Sequence, residues 1–229
     1  LLDGFPMSQF QPFAIERMMS HLEQGVAYNL SESGVHPLLL GELLADQPGM
    51  VDRLLATELN YPHVNGIPEL RHNIAALYEG AMPENVLVTV GAIEANYISI
   101  RTLLSAGDEI VVMLPNYMQI WGVAKNHGLN VKTFHLCADD GWAPDLAELE
   151  SVVTSYTKLI AVCNPNNPTG RILTESEMDS IVACAERVGA WILADEVYRG
   201  ATRESDEENP SFYGRYDKVL AIGSMSKAY

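Results

Sequence analysis

Short apolar runs alternate with stretches of helical spacing along most of the chain, and this alternation constrains the fold more than any other feature. The runs that indicate buried strands lie at 86–90, 109–113, 131–136, 158–163, 191–194 and 218–222. Strands separated by helical segments of about 10–15 residues are typical of βαβ units. Because such units build parallel sheets with helices on both faces, the sequence predicts an α/β fold of three layers, αβα, around a mostly parallel sheet.

Helical periodicity and capping signals place helices between and before these strands. Helices are predicted at 8–24, at 38–55 with a break near Pro48-Gly49, at 68–78, at 92–105, around 117–127 and at 144–153. Thr174 and Glu177 form a capping box that begins one more helix, which ends at Gly189. Residues 1–40 are expected to form an N-terminal arm or part of a small domain, and residues 41–229 a large, incomplete domain.

Polar side chains directly follow three of the predicted strands. The turn 164–170 (NPNNPTG) follows one strand, the segment 195–198 (DEVY) follows the next, and 224–227 (SMSK) follows the last. In open α/β sheets, ligands bind outside the carboxyl ends of the strands. A carboxamide, an acid, a phenol and an amine are therefore expected at one edge of the sheet.

A fourth junction indicates an anion site. Gly91, Ala92 and Ile93 follow the run 86–90 and begin a helix. The backbone N–H groups and the dipole of a helix start bind phosphate, and glycine allows close approach. A tight turn between a strand and a helix, with no ligand, is the plainer interpretation of so short a motif.

These motifs, in this order and spacing, resemble the fold-type I enzymes that depend on pyridoxal 5'-phosphate (PLP), specifically the class I/II aminotransferase family. The resemblance runs from about Tyr61 to the last residue. It implies the large domain of that fold and the transfer of an amino group between an amino acid and a 2-oxo acid. It also implies a homodimer with shared active sites.

The resemblance assigns a role to each polar group at the strand ends. Lys227 forms the Schiff base with PLP and moves the α-proton of the substrate. Asp195 keeps the pyridine nitrogen protonated, so that the ring can accept electrons, while Asn167 and Tyr198 donate to the phenolic oxygen of the ring. Without the resemblance, Asp195 is equally consistent with a cap and Asn167 with an ordinary turn residue.

The resemblance implies that two segments of each subunit bind the phosphate of the cofactor in that subunit. Gly91, Ala92 and Ile93 would bind it through the start of their helix, and Ser224 would add its hydroxyl to the same phosphate. The resemblance also implies that Tyr61 reaches the phosphate held by the neighbouring subunit.

The resemblance further implies contacts to the ring face and to the substrate. Tyr117 stacks on the face of the cofactor ring, although an aromatic side chain packed under a loop would produce the same pattern. Gly34 and Val35 line the substrate site, together with Asn167.

The same residues would serve other chemistries. Lyases, cyclases and synthases use PLP to eliminate a β-substituent from the same carbanion, and the segment 31–36 (SESGVH) weakly resembles capreomycidine-synthase-like enzymes. A non-enzymatic PLP-binding domain of a regulator is a third alternative, although no basic DNA-binding segment is present.

Composition argues against several other classes of function. The formal net charge of −16 argues against a nucleic-acid partner, and no apolar run approaches the roughly 20 residues that span a membrane.

Cys137, Cys163 and Cys184 have no CxxC spacing, so reduced cysteines in a cytoplasmic protein are expected. The six histidines show no metal-binding spacing, and no metal site is predicted.

The ends of the chain lead to a further expectation. The N-terminal residues do not resemble a signal peptide, and the chain stops two residues after Lys227. Members of the resembling family continue through further strands and a C-terminal small domain. The sequence is therefore expected to be a fragment that lacks this small domain and the arginines that bind the phosphate and the substrate carboxylate.

Overall fold

The computed structural model describes residues 10–23, 25–35, 37–201 and 209–228. These described residues form two compact units, one of residues 10–31 with Val90–Ala228 and one of Glu32–Thr89. The first unit contains the sheet and most of the residues predicted to bind the cofactor.

Within the described residues, the first unit is built on a sheet of six strands. The strands are β1 (Glu109–Leu114), β2 (Asn130–Cys137), β3 (Ala143–Pro144), β4 (Thr157–Cys163), β5 (Trp191–Asp195) and β6 (Val219–Ile222). They lie in the order β3-β2-β1-β4-β5-β6, and all neighbours are parallel except β2 and β3. Five of the predicted strands are confirmed to within a residue at each end, and the short β3 was not predicted.

Helices cover both faces of this sheet. The first unit contains α1 (Ala14–Leu22), α5 (Gly91–Leu103), α6 (Gln119–Asn126), α7 (Leu146–Val152) and α8 (Glu175–Val188), and the second contains α2 (Leu40–Leu44), α3 (Met50–Leu55) and α4 (Pro68–Ala75). Successive strand residues point to opposite faces. Met113 and Ile160 belong to the buried cluster under α7 and α8, whereas Val112 and Leu159 belong to the cluster under α5 and α6. The predicted αβα fold is confirmed.

The predicted capping box begins α8. Thr174 Oγ1 accepts a hydrogen bond of 3.2 Å from the N–H of Glu177, and Glu177 Oε2 accepts one of 2.7 Å from the N–H of Thr174. The helix ends at Gly189, whose φ of 70° is left-handed. These two signals set both ends of the helix that covers β4 and β5.

The predicted helices are present with shorter bounds. The segment predicted at 8–24 contains α1, and the segment predicted at 68–78 contains α4. The segment at 38–55 divides into α2 and α3 because Gly49 takes a left-handed conformation with φ of 79°. The break predicted near Pro48-Gly49 is therefore confirmed.

The strand predicted at 86–90 is wrong for the described structure. The N–H of Val88 donates to the carbonyl of Asn65 at 3.0 Å, and the side chain of Arg71 donates to the carbonyl of Val86 at 3.0 Å. Because a loop and a guanidinium take up these main-chain groups, the apolar segment forms no strand ladder.

Among the described helices, α8 is the longest with 14 residues, and none is both long and apolar enough to cross a membrane.

The division of the enzyme at residue 40 into an arm and a large domain stays a prediction.

Candidate active site

Main-chain hydrogen bonds continue beyond the ends of β4, β5 and β6. The N–H of Asn164 donates to the carbonyl of Asp195 at 2.9 Å, and the N–H of Glu196 donates to the carbonyl of Ile222 at 2.8 Å. Because these parallel strands end at the same edge of the sheet, the three polar segments that follow them lie side by side. This edge is where ligands bind in open α/β sheets.

Asp195 is the last residue of β5 and is 5% exposed. Its Oδ1 accepts a hydrogen bond from the N–H of Val197 and its Oδ2 one from Nδ2 of Asn96, each at 3.2 Å. Burial raises the pKa of Asp195 above its ordinary value, and the two hydrogen bonds only partly oppose this rise. Among the described residues, no lysine, arginine or histidine forms an ion pair with Asp195.

The turn that contains Asn167 is held by the asparagines before it. Asn164 Oδ1 accepts a hydrogen bond of 2.9 Å from the N–H of Leu173, and Asn166 Nδ2 donates one of 3.0 Å to the carbonyl of Pro115. Asn164 and Asn166 are buried, whereas Asn167 is half-buried. The turn therefore presents the side chain of Asn167 from a fixed backbone beside the end of β4.

Tyr198 and Lys227 lie in turns that follow neighbouring strands, and both are half-buried. The segment after Tyr198 packs against the one that contains Lys227, since a Cβ added to Gly200 would lie 3.6 Å from the Cβ of Ala228. The phenol and the amine are thus carried by adjoining turns.

α5 begins at Gly91, which follows Val90 directly. Gly91 has φ of +73°, a conformation that other residues rarely adopt, and an added Cβ would meet no atom within 4 Å. Val90 supplies no side-chain cap to the first turn, which continues through Ala92 and Ile93. A helix start with open space beside a glycine suits an anion.

Ser224 lies in the turn before Lys227, where its hydroxyl is engaged locally. Ser224 Oγ donates to Oγ of Ser226 at 2.9 Å and accepts from the N–H of Ser226 at 3.1 Å. These contacts shape the turn between β6 and the lysine, and a contact from Ser224 to phosphate stays a prediction.

Tyr117 follows β1, and its side chain meets the N-terminal helix. Its hydroxyl donates a hydrogen bond of 2.5 Å to Glu16 Oε1, and its ring meets that of Phe13 edge-on, with centroids 5.0 Å apart. Burial raises the pKa of Tyr117, and the negative charges of Glu16 and Asp195 raise it further. Because β1 and β4 are parallel neighbours, Tyr117 follows a strand that ends at the same edge of the sheet as β4, although stacking on a cofactor stays a prediction.

Gly34, Val35 and Tyr61 belong to the second unit rather than to the first. The N–H of Gly34 donates to Glu32 Oε1 at 2.8 Å, Val35 is 48% exposed and Tyr61 is fully exposed. The roles assigned to these three residues stay predictions.

The sequence did not predict the residues that contact Asp195 and Tyr117, because these residues lie far from them in the sequence. Asn96 and Gln119 lie in a buried network around Asp195, and Glu16 binds Tyr117. Asn96 had a detectable signal, because it occupies the position between Ala92 and Ile100 on the inward face of α5. Neither Gln119 nor Glu16 stands out from its neighbours in the sequence.

The groups at this edge fit PLP. The buried carboxylate of Asp195 suits a cationic ring nitrogen, because a buried charge requires a partner of opposite sign. The open space at Gly91 suits a phosphate at a helix start. Lys227 supplies an amine for the aldehyde, and the described residues contain no group of three or more histidine, cysteine or carboxylate side chains that could hold a metal.

Comparisons with known proteins show the family to which the chain is related. The family model for aminotransferases of class I and II matches residues 53–229. A probable aspartate aminotransferase from Methanocaldococcus jannaschii is 29% identical over 212 residues, which are 88% of this chain and 56% of that protein. Capreomycidine synthase from Streptomyces vinaceus is 31% identical over 210 residues, which are 88% of this chain and 52% of that protein.

A solved structure shows the same fold at higher similarity. The crystal structure of a PLP-dependent aminotransferase from Streptococcus suis superposes with a TM-score of 0.90 and 33% identity, over 96% of this chain and 59% of that one. The chain spans 32% to 56% of the length of such curated relatives. Because the family model covers more than half of the sequence, the chain belongs to the class I and II aminotransferase family.

Proposed function

We propose that the complete enzyme uses PLP to transfer an amino group from an amino acid to a 2-oxo acid. The observation that carries this proposal is Asp195, a buried carboxylate at a strand end that has no cationic partner among the described residues. A lysine, a carboxamide, a phenol and a helix start lie at the ends of neighbouring elements. This combination supports a PLP site more than any single motif does.

In this proposal, the side chains divide the work of holding the cofactor. Asp195 pairs with the ring nitrogen and keeps its proton there. Asn167 and Tyr198 donate to the phenolic oxygen, and Tyr117 covers one face of the ring and excludes water. The phosphate is held by the helix start at 91–93 and by the hydroxyl of Ser224.

The reaction then requires a group that can accept and donate the α-proton of the substrate. When bound, PLP supplies a protonated pyridine ring that can accept the electron pair left on the α-carbon of the substrate. Lys227 would hold the cofactor covalently through Nζ when no substrate is present. Once freed by the substrate amine, Nζ would accept the α-proton of the substrate and donate it back as the amino group is transferred.

Substrate binding and assembly extend beyond these groups. We assign Gly34, Val35 and Asn167 to the substrate site and Tyr61 to the phosphate of a neighbouring subunit in a homodimer. We further propose that residues 41–229 belong to the PLP-binding domain and residues 1–40 to an N-terminal arm. The unpaired cysteines favour the cytoplasm as the location of the enzyme.

The likeness to capreomycidine synthase, at 31% identity over 88% of this chain, favours a second candidate function. In that case, the residues around Lys227 would serve elimination or cyclisation of an amino acid rather than amino transfer. The same buried acid and lysine would be needed, because both reactions begin with loss of the α-proton.

A single half-reaction separates the two functions. The complete, PLP-loaded enzyme is mixed with a panel of amino acids in the absence of any 2-oxo acid. A transaminase converts its cofactor to pyridoxamine 5'-phosphate and stops, whereas a lyase or cyclase turns over without accumulating this form. Absence of pyridoxamine 5'-phosphate with every amino acid, together with continued turnover, would contradict amino transfer.

The covalent residue is tested separately. Borohydride reduction of the loaded enzyme, followed by peptide mass mapping, is expected to place the pyridoxyl group on Lys227. Lys218, which donates to the carbonyl of Gly189 at 2.8 Å, is the internal control and should remain unmodified. A label on any other lysine would overturn the assignment.

A further inference from the structure

A buried amide on α5 contacts the carboxylate proposed to bind the ring nitrogen. Asn96 is 1% exposed, and its Nδ2 donates to Asp195 Oδ2 and to Gln119 Oε1, each at 3.2 Å. Asn96 Oδ1 is buried and has no hydrogen-bond partner. Both N–H bonds of this amide are therefore used, and only its oxygen is left unsatisfied.

The direction of this network is set by a main-chain carbonyl. Gln119 Nε2 donates to the carbonyl of Ile93 at 2.7 Å. A carbonyl only accepts, so Gln119 must turn its amino group toward Ile93 and its Oε1 toward Asn96. Asn96 must then present its amino group to Gln119 and, with the second N–H, to Asp195. Gln119 thus fixes which end of the Asn96 amide faces the carboxylate.

Folding alone does not explain an asparagine at this position. The neighbouring inward positions of α5 are apolar and pack against the sheet, as Ala92 and Ile100 do. A buried polar oxygen without a partner costs about 1–3 kcal/mol, and a leucine at position 96 would avoid that cost. Retaining the amide is explained if its donor serves Asp195.

We propose that Asn96, oriented by Gln119, is a positioning residue that keeps the Asp195 carboxylate ionised and in one orientation for the ring nitrogen of the cofactor. This inference rests on the proposed function. It also joins two parts of the site, because Ile93 belongs to the helix start assigned to the phosphate. One chain of side-chain hydrogen bonds then links the residues assigned to opposite ends of the cofactor.

The test compares two ligands with the complete enzyme after removal of its cofactor. One ligand is PLP, and the other is its analogue with a carbon atom in place of the ring nitrogen, which cannot pair with Asp195. Binding is measured by equilibrium titration for the unmutated enzyme, for Asn96→Leu and for the control Ser99→Ala. Ser99 lies on the same helix, and its hydroxyl donates to the carbonyl of Ala95 at 2.7 Å.

Asn96→Leu is expected to weaken PLP binding by about tenfold or more, the effect of losing a hydrogen bond to a charged group. Binding of the carbon analogue should change by less than about twofold, and Ser99→Ala should leave both affinities unchanged. Gln119→Met, which frees the Asn96 amide without touching Asp195, is expected to weaken PLP binding in the same selective way. This variant tests the inference even if Asn96→Leu does not fold.

The outcomes separate the inference from the function on which it rests. Failure of the unmutated enzyme to bind PLP would overturn the proposed function and this inference with it. Unchanged PLP binding in the variants, or an equal loss for both ligands, would overturn the inference alone. An acidic limb of the pH–rate profile that moves to higher pH in Asn96→Leu but not in Ser99→Ala would support it further.

Discussion

The hydroxyl of Tyr117 donates a hydrogen bond of 2.5 Å to Oε1 of Glu16, so a residue of α1 is bound to a residue that is proposed to cover the cofactor. α1 itself buries none of its residues. Within the described residues, this hydrogen bond joins the helix to the segment that follows β1, and it involves a carboxylate. Hydrogen bonds to charged groups are among the stronger ones in proteins.

Removal of the Glu16 carboxylate should loosen α1. In Glu16→Ala, amide hydrogen exchange across the helix is expected to accelerate by about tenfold or more, because a hydrogen bond to a charged group is lost. Glu23→Ala is the matched control, since Glu23 lies at the other end of the same helix. Equal exchange in the two variants would show that Glu16 does not hold the helix.

Loss of the Asp195 charge should impair turnover far more than cofactor binding. In Asp195→Asn, kcat is expected to fall by about two orders of magnitude or more, as for removal of a group that stabilises developing charge. The measurement is steady-state turnover at saturating PLP. Activity within about a factor of two of the unmutated enzyme would mean that Asp195 acts only as a structural cap.

The same substitution should stabilise the protein when the cofactor is absent. Burial raises the pKa of Asp195 above its ordinary value of 3.8, so the folded state binds its proton more tightly than the unfolded state does. The stability that the bound proton contributes is lost as the pH rises from the ordinary pKa of 3.8 to the folded-state pKa of Asp195, and the loss is complete above the folded-state pKa. Asp195→Asn should therefore raise the melting temperature of the cofactor-free enzyme by a few degrees at neutral pH, in thermal melts followed across pH. A lower melting temperature at neutral pH would contradict this account.

At the other end of the sheet, an ion pair between a buried carboxylate and a half-exposed lysine should contribute to the resistance to acid. Glu109 is 8% exposed; its Oε2 lies 2.7 Å from Lys132 Nζ, and its Oε1 accepts from Oγ1 of Thr154 at 2.8 Å. Burial alone would raise the pKa of Glu109, but Lys132 and two threonine hydroxyls outweigh burial and lower it. This stability is present above the ordinary value of 4.5 and is lost as the pH falls through the folded-state pKa.

Lys132→Met should remove this contribution without touching the candidate site. The free energy of unfolding at neutral pH is expected to fall by about 1–3 kcal/mol, because a buried carboxylate loses a charged donor. Lys158→Met, an exposed lysine on β4, the strand on the other side of β1, is the control. Denaturant unfolding measures both, and equal stabilities of the two variants would contradict the role given to Lys132.

Mixed dimers test the assignment of Tyr61 to the neighbouring subunit. Tyr61→Phe and Lys227→Ala homodimers should both be impaired, whereas a mixed dimer should contain one intact site. Equal mixing of subunits makes half of the dimers mixed, so activity should recover to about a quarter of the unmutated value. A mixture of Asp195→Asn and Lys227→Ala subunits is the control, because both residues belong to one site and no recovery is expected. Equal results in the two mixtures would contradict a shared site.

The sheet and its polar edge could be predicted because the information is local. A strand buried on both faces is a continuous apolar run, and the polar residue that ends it marks the sheet edge. Asp195 after Trp191–Ala194 is such a case, and β5 ends at that residue. The run at 86–90 looked the same, but its main-chain groups bind Asn65 and Arg71 instead. An apolar run does not reveal which partner will take its hydrogen bonds.

The contacts that complete the site could not be predicted from spacing. Asn96 and Asp195 are 99 residues apart, and Glu16 and Tyr117 are 101 residues apart. No periodicity connects positions so distant along the chain. These residues meet only because α5 and α1 pack within the first unit, which contains the sheet. The roles of Gly34, Val35 and Tyr61 rest on family resemblance for the same reason.

The division of the chain into two compact units has an evolutionary consequence. The residues proposed to break the α-carbon–hydrogen bond belong to the sheet unit, whereas Gly34, Val35 and Tyr61, proposed for recognition and assembly, belong to Glu32–Thr89. Under these assignments, substitutions that alter recognition and substitutions that alter proton transfer fall on different segments of the chain. A lineage could then acquire a new amino-acid preference while inheriting its reaction chemistry unchanged.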